Sequence, residues 1–305
     1  MADIGQLGAD PLEQHFASAV RALTGPSASE LGGALGGALG GLSPERAVQL
    51  LDAQLTSRSL DVAARLLRAR GTGYYTIGSA GHEGNAGVAA ALRVTDPALL
   101  HYRSGAFYLA RAAQAGRDGT TDVLLGLLGA AAEPIAGGRH KVFGHRDLNV
   151  IPQTSTIASH LPRAIGVAFA LDRARRLGLA VPWPDDALVV CSFGDASANH
   201  STAAGALNTA AYCAYQGLPL PLLLVCEDNG LGISVRTPPG WITATRSGNT
   251  VVPYFRAGDQ DVAQVHAAAL AAATFVRERR APAFLHLPVV RLGGHAGSDV
   301  ESAYR

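Results

Sequence analysis

Three short, unbroken apolar runs stand out along the chain: ALVVCSF at 187–193, PLLLVC at 221–226 and AFLHLPV at 283–289. Runs of this length without polar alternation read as strands buried on both faces of a parallel sheet. Pro288 cannot donate a ladder hydrogen bond, so the third run is expected nearer an edge. Helical stretches at 157–177, 198–216 and 261–279 separate the runs. Strands alternating with helices predict an α/β fold, a mostly parallel sheet with helices on both faces. Such sheets bind ligands at the carboxyl ends of their strands. GDAS after the first run and EDNG after the second occupy such ends.

The N-terminal part is built differently. Residues 11–24 have the composition of a short helix, and 25–41 then repeat GGAL and close on GG. A glycine-rich, low-complexity stretch has little to pack, so residues 1–43 read as a flexible arm before a single domain at 44–305. Ser43-Pro44 is a helix start, a capping hydroxyl followed by a proline. Val48, Leu51 and Leu55 mark one helical face, and a second helix is expected over 60–70, ending at Gly71. A glycine-rich turn and an alanine-rich helix follow in YYTIGSAGHEGNAGVAAAL.

Composition narrows the function. The 305 residues are 48% hydrophobic and 16% charged, which is globular rather than disordered. Net charge is +1, with 25 basic against 24 acidic residues, so no basic excess addresses a nucleic acid or an anionic membrane. Cys191, Cys213 and Cys226 form no CxxC pair, which excludes a zinc ribbon or disulfide framework. No signal peptide opens the chain and no apolar run has membrane-spanning length, so a cytoplasmic location is expected. No GxGxxG follows a strand, which argues against a dinucleotide site.

The chemistry-bearing pair is Gly194-Asp195 and, one strand–helix–strand unit later, Asn229-Gly230. A carboxylate and an amide oxygen at adjacent strand ends, with a backbone carbonyl nearby, form half of a hard-oxygen shell for Mg²⁺ or Ca²⁺. Gly194 lets a diphosphate approach the backbone, and the helix after Ala196 is expected to offer it free N–H groups. Either residue alone reads equally well as a helix cap or a turn.

GDASANHSTAAGALNTAA…CEDNGLGIS resembles the motif of thiamine-diphosphate enzymes. GSAGHEGNAGVAAALRVTDPALLHYRS, GGRHKVFGHRDLNVIPQTSTIASHLPRAIG and RLGGHAGSDVESAYR resemble, in the same order, further blocks of the alpha subunits of 2-oxo acid dehydrogenases. The resemblance covers about residues 44–305 and implies the thiamine-diphosphate-binding fold. On it, Asp195 and Asn229 bind Mg²⁺ by side chain and Leu231 by its carbonyl. Tyr102, Arg103, Ser155, Gly194, Ala196, Ser197 and His295 line the cofactor, and Ile157 is the aliphatic wedge beneath it. His295 also takes a proton-handling or anion-binding role, as a group that ordinarily titrates near neutrality. His140 and His145 both match a further loop histidine. Ala196 departs from the glycine usual in the motif and would be strained if its φ were positive.

The resemblance further implies oxidative decarboxylation of a branched-chain 2-oxo acid or pyruvate and acyl transfer to a lipoyl group on an acyltransferase core. The glutamate that activates the cofactor belongs to a beta-type partner in a two-alpha, two-beta assembly, and no Glu here matches it. The domain is expected to be C-terminally incomplete at Arg305, or to run on into a fused beta half. Alternatives within the resemblance are acetoin dehydrogenase or another thiamine-dependent lyase or transferase. An alternative of another class is a catalytically silent regulatory subunit.

Overall fold

The computed structural model describes residues 11–22, 39, 41–74, 77–133, 135, 137, 143–258, 261–297, 299 and 301–303. Most of the glycine-rich arm, and His140, lie outside the described residues. The elements run α1 (Pro11–Ala22), α2 (Pro44–Ala69), α3 (Asn85–Ala90), β1 (Ala98–Leu99), α4 (Gly105–Gln114), α5 (Gly119–Leu128), α6 (Leu161–Arg176), β2 (Val189–Gly194), α7 (Ser201–Tyr215), β3 (Leu222–Asp228), α8 (Trp241–Arg246), β4 (Tyr254–Arg256), α9 (Val262–Arg279) and β5 (Ala283–Pro288). Short 3₁₀ turns sit at Asp195–Asn199 and Glu301–Ala303.

The strands form one parallel sheet in the order β1-β2-β3-β5-β4. Alternate side chains of each central strand feed two separate cores. Val190, Leu223, Val225 and Leu285 pack with α2 to α5 and α9 on one face. Val189, Cys191, Leu222, Leu224, Cys226 and Phe284 pack with α6 and α7 on the other. Burial on both faces explains why these strands are continuous apolar runs. Cys191 and Cys226 serve as small buried hydrophobes, and the three cysteines are unbridged.

β5 is interior, not at an edge. Pro288 is tolerated because its missing N–H would face β4, which has already ended at Arg256. The bond to β3 is made by the next residue, Val289 N–H to Asp228 O at 2.8 Å. The edges are β1 and β4, of two and three residues.

The two helices expected over 44–70 are one helix of 26 residues, α2, started by Ser43 Oγ accepting the Arg46 N–H at 3.2 Å. No glycine or proline interrupts 56–59, so the polar TSRS stretch costs the helix little. Its buried face carries Leu50, Ala53, Ser57, Leu60, Asp61 and Ala64. The stripe of Val48, Leu51 and Leu55 points outward, 66%, 52% and 39% exposed. Among the described residues no helix is long and apolar enough to cross a membrane.

Candidate active site

β2 and β3 end side by side, Gly194 opposite Glu227. Asp195 therefore leaves the sheet next to Asn229. The 3₁₀ turn that begins at Asp195 buries its carboxylate, 3% exposed. Oδ1 accepts the Asn229 backbone N–H at 3.3 Å, and Oδ2 accepts the Thr237 hydroxyl at 2.5 Å. Burial, then the charge of Asp228, push this carboxyl up to about 6 despite those hydrogen bonds. Asn229 Oδ1 accepts the Leu231 N–H at 2.9 Å, and Leu231 pairs antiparallel with Arg236. The 229–237 segment thus folds as a small hairpin over Asp195.

Ala196 lies within the 3₁₀ turn and is not among the residues with positive φ, so its side chain brings no strain. The helix expected directly after it starts only at Ser201. Its first turn is capped by His200, whose Nδ1 accepts the Thr202 N–H at 3.2 Å.

Opposite Asp195, α4 is preceded by Tyr102 and Arg103. Arg103 is buried, with Nη1 donating to Gly78 O at 2.5 Å and Nη2 to His295 O at 3.0 Å and His295 Nδ1 at 3.2 Å. Its guanidinium lies 5.2 Å from the Tyr102 ring centroid. His295 is held by its own N–H donating to Asp299 Oδ2 at 2.6 Å. Burial, then the charges of Arg103 and Arg291, lower its imidazole to about 4. It is therefore neutral at physiological pH, not the near-neutral titrating group expected from its type, and its Nδ1 serves as an acceptor for Arg103.

Tyr102, Arg103, Ile157, Gly194, Asp195, Ala196, Ser197, Asn229, Leu231 and His295 line one cleft of about 30 Å³. Ser155 is half-buried outside that lining, and His145 sits away from it, 4.0 Å from Asp122. A larger cavity of about 410 Å³ adjoins on the far side of Arg103 and Arg291.

The structure adds residues not singled out in the sequence. His101 lines the cleft, is 4% exposed, and neither ring nitrogen has a hydrogen-bond partner. Arg291 is buried and donates to Gly232 O at 2.7 Å, tying the His295 segment to the 229–237 hairpin. Below the cleft, Glu227 is fully buried and accepts from His82 Nδ1 at 2.6 Å and Ser104 Oγ at 3.0 Å. Burial opposes its ionisation, but the neighbouring histidines outweigh this and hold the carboxyl well below the usual range. His82, His101 and Glu227 could together hold a metal. The 2.6 Å contact between His82 and Glu227 is, however, a hydrogen bond. Ligands of one tetrahedral ion with ~2 Å bonds stand farther apart than that.

His82 is placed by a turn that only glycine permits. Gly81 has φ +94°, and a Cβ there would meet Val290 O at 1.7 Å. The Val290 and Leu292 N–H groups donate to Gly81 O and Ala80 O, so this turn and the His295 segment form one unit. Asp61 in α2 secures it from below, accepting the Ser79 and Ala80 N–H groups, each at 2.7 Å.

Hard-oxygen donors beside buried cationic side chains, at the carboxyl edge of a parallel sheet, are the kind of arrangement that suits an anionic ligand. The family model described as "Dehydrogenase E1 component" matches residues 52–305, and the chain belongs to that family. Its relatives include the 2-oxoisovalerate dehydrogenase subunit alpha of Bacillus subtilis (strain 168), 26% identical over 272 residues, 87% of this chain and 77% of the relative. The mitochondrial alpha subunits of Mus musculus and Bos taurus are 28% and 27% identical, each over 74% of this chain. The chain spans about half the length of these two, 48% and 46%. It is an alpha-type component of a 2-oxo acid dehydrogenase.

Proposed function

We propose that the chain is the alpha-type half of a thiamine-diphosphate- and Mg²⁺-dependent dehydrogenase of branched-chain 2-oxo acids, passing the acyl group to a lipoyl arm. The observation that carries this is the convergence of Asp195, Asn229 and Leu231 with Arg103 and His295 on one cleft. The donor set fits the cation: one buried carboxylate, one amide oxygen and one carbonyl, an octahedron that diphosphate oxygens and water would complete. It also fits the anion. Arg103 offers a planar fork, and the unpartnered nitrogens of buried His101 offer a further donor. The names of the relatives support a branched-chain substrate over pyruvate or acetoin.

When bound, thiamine diphosphate supplies a nucleophilic carbon and an electron sink for loss of CO₂ from a 2-oxo acid. This chain's residues do the holding. Asp195 and Asn229 anchor the cation, Arg103 neutralises diphosphate oxygens, and Ile157 gives the cleft an apolar wall. At about 30 Å³ the cleft is far smaller than the ~300 Å³ of a typical ligand site. The adjoining cavity of about 410 Å³, which shares Arg103 and Arg291 with the cleft, supplies the further space.

The only carboxylate lining the cleft, among the described residues, is Asp195. A metal ligand cannot also serve as the acid that activates the cofactor. We place that acid on a beta-type partner.

Calorimetric titration of thiamine diphosphate with and without Mg²⁺ tests the reading. Binding is expected to require Mg²⁺ and to vanish in Asp195→Ala, with the fold retained by circular dichroism. Undiminished affinity in that variant would overturn it.

A further inference from the structure

Asn229 has an amide whose two ends differ chemically but barely in shape. A cation at the cleft accepts only the oxygen end, so the direction in which the amide faces decides whether the site works. The structure shows what sets it. Asn229 Nδ2 points at His82 Nε2 at 3.1 Å, while Oδ1 faces the Leu231 N–H at 2.9 Å. The other nitrogen of the same imidazole, Nδ1, is 2.6 Å from Glu227 Oε2, and both groups are completely buried.

The protons in this chain follow from the partners. Glu227 is surrounded by donors: Ser104 Oγ at 3.0 Å, Asn85 Nδ2 at 3.4 Å and His82. A carboxylate among donors is itself the acceptor, so the ring proton of His82 sits on Nδ1. Asn229 Oδ1 is taken by the Leu231 N–H, so the end facing Nε2 is the NH₂, and Nε2 is its acceptor. Nε2 is then a bare lone pair. It attracts the Asn229 NH₂ and repels the Asn229 oxygen, so the amide can face only one way, with Oδ1 turned to the hairpin and the cleft.

We propose that His82, keyed by Glu227, is a positioning residue that fixes the Asn229 amide with its oxygen presented to the divalent cation. This rests on the reading of Asn229 as a cation ligand. Partners of this kind typically change metal affinity 10- to 100-fold when removed. The pair is well suited to the task. Glu227 and Asn229 lie at the end of one strand, whereas His82 comes from the turn held by Gly81, so the relay locks the Gly81 turn to the end of β3.

The test uses the full chain with thiamine diphosphate present and Mn²⁺ as the probe, titrated by electron paramagnetic resonance. Four proteins make a double-mutant cycle: wild type, His82→Phe, Asn229→Ala and the double variant. His82→Phe keeps a ring of similar size without an acceptor, and is expected to weaken Mn²⁺ by roughly 10-fold or more. In the Asn229→Ala background the same change is expected to add nothing, because there is no amide left to orient. His82→Gln, whose amide can donate to Glu227 and accept from Asn229, is expected to recover most of the affinity.

Wild-type Mn²⁺ affinity in His82→Phe, or a full extra loss in the Asn229→Ala background, overturns the positioning role alone. Wild-type affinity in Asn229→Ala overturns the ligand reading and this proposal with it. A measurement on the unsubstituted protein stands if His82→Phe does not fold. The ¹⁵N resonances of His82 are expected to show Nδ1 protonated and Nε2 bare, and a protonated Nε2 overturns the relay.

Discussion

The buried carboxylate of Asp195, the cation ligand of the proposed function, is held at the expense of the protein's own stability, and this can be measured without any assay of catalysis. Its carboxyl is pushed from 3.8 up to about 6, first by burial and then by Asp228. A folded state that holds this proton more tightly than the unfolded chain loses stability as pH rises through the interval between the two values. Below 3.8 the cost is absent, and above about 6 it is complete. At 1.36 kcal/mol per unit the full cost is on the order of 3 kcal/mol. Asp195→Asn removes the charge and keeps the hydrogen bonds. Oδ1 still accepts from the Asn229 N–H, and the new NH₂ can donate to Thr237. Urea unfolding in the absence of Mg²⁺ is therefore expected to show a gain where most active-site substitutions show a loss. Asp195→Asn gains ~1–3 kcal/mol over wild type at pH 8, and the gain closes towards pH 4. Adding Mg²⁺ and thiamine diphosphate at 100 times the dissociation constant should return ~2.7 kcal/mol to the wild type only. A variant less stable than wild type at pH 8, or a difference independent of pH, would refute the reasoning.

Three further outcomes are expected. His160, lowered to about 4 chiefly by burial, must gain a proton on unfolding below its ordinary 6.5, so stability should fall as pH drops from 6.5 towards 4. The loss is on the order of 3 kcal/mol, and His160→Gln should flatten that part of the unfolding curve. Asp96 is fully buried and pairs with Arg277 at 2.7 Å while accepting the Leu188 N–H at 3.1 Å, joining α9 to the start of β2. Asp96→Ala should cost ~3–5 kcal/mol in urea denaturation. Gly81→Ala should cost at least ~2 kcal/mol and weaken cofactor binding beyond that, because the clash with Val290 O displaces both the His82 turn and the His295 segment; unchanged calorimetric affinity would count against their coupling.

The sheet was legible where burial on both faces leaves a continuous apolar run, as in β2, β3 and β5. It was not legible in β1 and β4, which are too short to carry a pattern. Helical periodicity marked 44–70 as helical, though as two helices rather than one, and could not say which face is inner, because Val48, Leu51 and Leu55 repeat as regularly as Leu50, Ala53, Leu60 and Ala64. Spacing reports a stripe, not which side of it is covered. The strand-end residues Asp195 and Asn229 were readable for a local reason: each follows its strand directly. Glu227 and His82 were not, being 145 residues apart. One signal was present in hindsight. Glu227 continues the inward parity of Leu223 and Val225, where a charge needs a buried partner. The low pKa of His295 had no local signal, since it depends first on burial and then on Arg103 and Arg291 arriving from elsewhere.

The last residues of β3 show how a sheet edge is made into a site. Side chains alternate across a strand, so Glu227 and Asp228 point to opposite faces. Each meets a histidine: Glu227 meets His82 at 2.6 Å, and Asp228 meets His286 at 2.9 Å, which is itself bonded to Tyr254 at 2.6 Å. The strand end is thereby clamped from both layers just before Asn229, the residue whose orientation matters to a cation. The contact between His295 and Arg103 is held differently. The His295 segment rests on Arg103 through two hydrogen bonds, at 3.0 and 3.2 Å, and a diphosphate would compete for the same guanidinium. A charge-assisted bond to phosphate is stronger than one to a carbonyl or a neutral imidazole, so the anion can displace this contact while the strand end stays fixed. On the proposed function, rigidity is placed at the residues that would hold the cation and exchangeability at the arginine, the division of labour that suits a site for one large anionic cofactor.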